Sequence, residues 1–170
     1  SPERAHAGIH ILWPIPENKH YKDILAEAEK GGSPNNISPI IQYSVEDGIT
    51  ALWLGDLETD FMEKIKDEVA WPENVSILFA PHHGRDTGKI PEDILQTINP
   101  RIVVIGEAPS EHLNYYQNYN TITQNSAGHI TFECVTGKVH VFVSDEDYSV
   151  DFLKNENISG DDNYIGTLNL

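Results

Sequence analysis

The chain has 170 residues, enough for one ordinary domain with a sizeable core and no need of disulfide staples. With 39% hydrophobic and 22% charged residues it reads as globular, and no apolar run approaches the roughly 18 residues that a membrane-spanning helix requires. Asp and Glu number 27 against 11 Lys and Arg, a formal net charge of -16 that repels phosphate backbones and argues against nucleic acid as a partner of this chain alone.

In chain order, Gly8 to Trp13 is a short apolar run closed by Pro14 and Pro16, the pattern of a strand ended where prolines withhold backbone donors. Lys19 to Lys30 carries Tyr21, Ile24, Leu25 and Ala28 at helical spacing and stops at Gly31-Gly32. Gly31 to Asn36 concentrates turn formers. Two β-type runs, Ile37 to Val45 and Ile49 to Leu54, are joined by Glu46-Asp47-Gly48, whose Asp-Gly pair is a strong hairpin signal. Leu57, Phe61, Met62, Ile65 and Val69 then predict an amphipathic helix ended by Trp71-Pro72.

Val75 to Ala80 is a buried-type strand followed by Pro81-His82-His83-Gly84-Arg85-Asp86. Pro91, with Glu92 and Asp93 beside it and Ile94, Leu95 and Ile98 behind, predicts a short helix halted before Pro100. Arg101 to Gly106 is the next buried strand. This alternation of strands and helices predicts an α/β layer with strands at least partly parallel. Tyr115, Tyr116 and Tyr119 lie in an Asn-rich stretch without a neighbouring Lys or Arg in sequence, which favours packing over base stacking. His129 to Val135 and Lys138 to Val143 form a second hairpin around Thr136-Gly137, and from Ser144 to Leu170 the composition shifts toward Asp, Glu, Asn, Ser and Gly.

Asp56 stands in a Gly-Asp turn after a hydrophobic strand, at the sheet rim where α/β folds place their sites, although an Asp there also suits the N-cap of the following helix. His82 and His83 follow another buried strand and offer imidazoles to a metal ion or to proton transfer, if they are not simply solvated loop residues. Parallel neighbours would bring both loops to one rim. Arg85 could hold a substrate phosphate or carboxylate, or pair with Asp86 or Asp56.

Four blocks together resemble a known family. They are Asn35-Asn36-Ile37-Ser38, Leu54-Gly55-Asp56-Leu57-Glu58, Pro81-His82-His83-Gly84 and Asn99-Pro100-Arg101 running into Ile102 to Ile105. In this order and spacing they look like the metallo-β-lactamase-fold hydrolases, closest to the competence-protein ComEC-like branch. The resemblance implies an αββα sandwich with one or two divalent metal ions, zinc first and manganese or iron as alternatives, at the sheet rim. It places a metal-bridging carboxylate on Asp56 and a metal-binding histidine on His82 or His83, with Asp56 and His83 as catalytic residues. Arg85 and His112 fall where substrate contacts would lie.

The family's His-x-His-x-Asp-His signature is missing, since the eight histidines are His6, His10, His20, His82, His83, His112, His129 and His140 and no two are spaced as His-x-His. Residues 1–143 thus look like the C-terminal half of the domain, a mixed sheet with flanking helices, and 144–170 like an acidic tail or docked edge element. Either the N-terminal half lies on the same or a companion chain, or the protein has lost it; the Ser1 start predicts the former. His10 reads as a satisfied core or strand-face residue and His129 as structural.

The function this resemblance implies is metal-dependent hydrolysis of a phosphodiester or other ester, a metal-activated hydroxide attacking a small-molecule or phosphodiester substrate. The alternative is a non-catalytic, degenerate module serving assembly or partner binding. The single cysteine, Cys134, has no disulfide partner and predicts a reducing, cytoplasmic setting.

Overall fold

A computed structural model describes residues 8–45, 48–158 and 163–170, so Glu46 and Asp47 of the first predicted turn lie outside the described residues. The larger sheet has six strands in sequence order: β1 (Ile9–Trp13), β2 (Ile40–Ser44), β3 (Thr50–Trp53), β4 (Ile77–Phe79), β5 (Ile102–Ile105) and β6 (Thr121–Thr123). The first two pairings are antiparallel and β3 to β6 run parallel, so the sheet is mixed. A smaller antiparallel sheet contains β7 (Ile130–Val135), β8 (Lys138–Val143) and β9 (Tyr164–Asn169).

Period-two alternation sorts the parallel strands into two cores. Leu52, Leu78, Val103 and Ile105 face one side, where they bury against Phe61, Met62 and Ile65 of α2 (Thr59–Ile65) and Ile94, Leu95 and Ile98 of α3 (Glu92–Ile98). Ala51, Ile77, Ile102 and Val104 face the other side and bury against Val139, Val141 and Val143 of β8. The architecture is therefore α/β with three layers: helices, mixed sheet and small sheet. Each fully buried Leu or Ile contributes about 1.5–3 kcal/mol, and both cores meet on the strands that carry the loops after β3, β4 and β5.

Local chemistry explains the element ends. The helix α1 (Lys19–Glu29) starts where the Asn18 side chain accepts the His20 and Tyr21 N–H groups at 2.7 and 3.4 Å. It closes at Gly31, whose φ of 91° suits a residue without Cβ. Asn99, left-handed at φ 42°, stops α3 ahead of Pro100. The run predicted as strand from Ile37 begins only at Ile40, because Asn35–Ile37 make a single 3-10 turn and Pro39 has no N–H to give. The helix predicted over 57–69 is confined to Thr59–Ile65; Leu57 is fully buried from the turn before it, and the Glu58 N–H goes to the Asn36 side chain at 3.0 Å.

The Asn-rich stretch after β5 is a chain of turns that buries Tyr116 to 1% exposure, where burial pushes its hydroxyl up to about 12. Its neighbour Tyr115 donates to Asp86 at 2.9 Å, and folding brings the Lys89 ammonium 5.4 Å from its ring, a cation that sequence distance had concealed. Between α2 and α3, Lys66 bonds Asp93 at 2.8 Å and Glu63 at 3.1 Å; the Lys66 bond holds the Asp93 carboxyl below its ordinary range. Both groups are solvated, so the link orients the helices more than it stabilises them. The acidic C-terminal stretch returns as β9, paired with β8 from Lys138↔Asn169 to Phe142↔Tyr164. Among the described residues no helix is long and apolar enough to cross a membrane.

Candidate functional site

Loops leave the carboxyl ends of all four parallel strands on one edge of the sheet, the edge where α/β folds collect ligands. They contribute Gly55 and Asp56 after β3, Ala80 and His83 after β4, Gly106 after β5 and Gln124 after β6 to one pocket of about 520 Å³. The small sheet supplies the facing wall through His129, Ile130 and Phe132.

Asp56 is half-buried at this rim and is not a helix cap, since α2 begins beyond it with Glu58 in the cap position. The Asn-Asn-x-Ser block explains how its turn is held. Ser38 Oγ accepts the Asp56 N–H at 3.0 Å, and the Glu58 carboxylate accepts Asn35 and Asn36 amide groups at 3.1 and 3.0 Å. Gly55 sits at φ 55° with Ser38 so close that an added Cβ would fall 2.5 Å from the Ser38 Cβ. Replacing Ser38 by Ala should therefore leave the Asp56 N–H without its protein acceptor and lower stability by about 1 kcal/mol, a Tm decrease of roughly 2–4 °C. An unchanged thermal melt would show that this bond does not hold the turn.

The histidine loop is bound to the same turn: the His82 N–H donates to the Gly55 carbonyl at 2.9 Å. His82 and His83 both adopt left-handed backbone, at φ 49° and 59°, and Gly84 follows at 85°. For residues with a Cβ this conformation costs about 1–2 kcal/mol each, so the surrounding packing must enforce it. The consequence is that the two rings part. Nδ1 of His82 lies 2.7 Å from the Thr87 hydroxyl, whereas His83 lines the pocket with Asp56. Gly106 makes room for His83: a Cβ there would stand 3.2 Å from the His83 Cα, Cβ and Nδ1 atoms.

Arg85 is exposed and lies outside the pocket lining, and Asp86, its sequence neighbour, is engaged by Tyr115. His112 is also apart from the lining; its ring stacks on Tyr115 at 5.4 Å and its Nε2 is 3.5 Å from Glu111. The fold thus brings together Asp56 and His83, and leaves His82, Arg85 and His112 on neighbouring ground. His10 lies exposed on β1.

Three aromatic residues and a histidine of the lining stand out among those that carried no functional expectation in the sequence. Trp53, Phe79 and Phe132 looked like ordinary strand hydrophobes and His129 like a structural residue, because only the packing of the small sheet against the large one places them around a common space. A hint lay in Trp53, an outsized aromatic just before the Gly-Asp turn.

Fold and pocket together define an α/β domain with a polar-rimmed pocket at the carboxyl ends of its parallel strands. No protein-family model matches the chain, and no curated protein matches it.

The donor set tests whether a metal ion would fit. Asp56 and His83 offer two ligands at the rim and His129 lies on the facing wall, while His82 is committed to Thr87. Among the described residues no group of three or more His, Cys, Asp or Glu is placed to hold an ion. A stable site needs three or four protein ligands, so these residues alone do not fit one.

Proposed function

We propose that the chain carries one side of a hydrolase site of the metallo-β-lactamase fold, ComEC-like in its motifs, acting on a phosphodiester or other ester. The observation that carries this reading is the convergence of Asp56 and His83 on one pocket from adjacent parallel strands. Asp56 accepts a proton from an attacking water, and His83 gives a proton to the departing oxygen when the ester bond breaks. The new bond to the water oxygen and the two transfers leave acid and alcohol as products. Any divalent ion, zinc first and manganese or iron next, would need further ligands from an N-terminal half on the same or a companion chain. A reducing, cytoplasmic setting belongs to the same reading, consistent with the exposed free thiol of Cys134.

A second reading, a non-catalytic assembly module, is favoured by Ile9 and Ile11, 57% and 67% exposed on β1. Native mass spectrometry of the intact natural protein separates the two. One or two transition-metal ions bound near stoichiometry, in a species heavier than these 170 residues, supports the hydrolase. A metal-free species without a companion would overturn it in favour of the assembly module.

A further inference from the structure

Below the Asp56 and His83 rim the pocket is walled by aromatic rings that the proton transfers do not use. Trp53 and Phe79 are register partners on β3 and β4, and their rings stack with centroids 4.6 Å apart and planes 8° from parallel. From the small sheet, Phe132 stands edge-on to Phe79, 6.3 Å away at 89°. Trp53 retains 36% of its surface exposed, whereas its sequence neighbours Leu52 and Leu54 are completely buried. A space of about 520 Å³ lies within the range that holds small organic ligands.

Charge narrows the ligand further. Among the described residues no Lys or Arg lines the pocket, and the ionisable groups of its lining are Asp56, His83 and His129. In a chain of formal charge -16, an anionic ring would meet a carboxylate and no permanent cation. A flat, uncharged ring finds aromatic faces and edges on two sides instead.

We propose that this pocket seats an uncharged aromatic group of the substrate against Trp53, Phe79 and Phe132, with the bond to be cleaved held at the Asp56 and His83 rim. The second clause rests on the hydrolase reading; the seating of the ring does not. It follows that the substrate is an ester of an aromatic alcohol or acid rather than a compound whose ring carries its own negative charge.

The test titrates the intact protein with two probes of the same ring size, 2-naphthol and 2-naphthalenesulfonate, at pH 7, following saturation-transfer NMR of the ligand. The expected result is saturable 2-naphthol binding at least tenfold tighter than that of the sulfonate, weakened at least tenfold by Trp53→Ala and also by Phe132→Ala. Equal or tighter binding of the sulfonate, or 2-naphthol binding unchanged in folded Trp53→Ala or Phe132→Ala, would overturn the proposal. The comparison of the two probes on the unaltered protein decides the matter even where a variant does not fold. If 2-naphthol binds as expected but 2-naphthyl acetate is not hydrolysed, the hydrolase reading fails and the aromatic seat stands.

Discussion

In the intact protein, Asp56→Asn and His83→Gln should each lower hydrolysis of a susceptible ester by about 10²–10⁴-fold, the range expected when one partner of an acid-base pair is removed. Folding should be unaffected. The hydrogen bond that fixes the Asp56 turn comes from its backbone N–H to Ser38, which the amide variant keeps, and His83 is exposed. His82→Gln provides the contrast, because that ring is bonded to Thr87 rather than turned into the pocket. Its expected effect is on stability, about 0.5–1.5 kcal/mol, with a much smaller change in turnover. Steady-state kinetics and thermal melts on the three variants check this, and turnover that survives Asp56→Asn intact would remove the carboxylate from the reaction.

The second large effect is expected at Gly84, which combines a φ of 85° with burial beneath the histidine loop. An alanine Cβ there would lie 2.6 Å from the Ile105 Cγ2 atom on β5. Backbone strain of about 1–2 kcal/mol and overpacking of about 1–3 kcal/mol act together. Gly84→Ala should therefore lower Tm by roughly 5–15 °C. Gly137 isolates the two causes: its φ is 70°, but a Cβ would meet nothing within 4 Å. Gly137→Ala carries the strain alone and should reduce Tm by less than half as much. Equal losses in calorimetry would show that the Ile105 contact is not responsible.

Much of the fold was legible because its strands are short apolar runs punctuated by Pro and Gly. The β3 to β5 stretch declared itself through alternation of strand and helix patterns, and the β7–β8 hairpin through Thr136-Gly137. β9 was hidden, since Tyr164 to Asn169 sits in a polar, acidic neighbourhood and becomes strand-like only by pairing with β8. At the site, Asp56 and His83 were readable as polar residues directly after buried strands. What separates His83 from His82 was not, because it depends on two left-handed residues and on the Thr87 hydroxyl. The aromatic wall was equally invisible: it needs Phe132 to arrive from a different sheet.

The left-handed pair His82-His83 bears on how this sequence can drift. Glycine or asparagine would occupy either position with less strain, so selection for thermal tolerance alone would act against His83, while at His82 the bond to Thr87 offsets part of that strain. Gly84 would be retained under that same pressure, because its φ and the approach of Ile105 both demand it. A lineage that had given up the chemistry but kept the fold would be expected to carry the glycine behind a small or amide residue. Of the two imidazoles only His83 reaches the pocket, so its loss would cost the proposed chemistry alone, whereas loss of His82 would also give up the Thr87 bond.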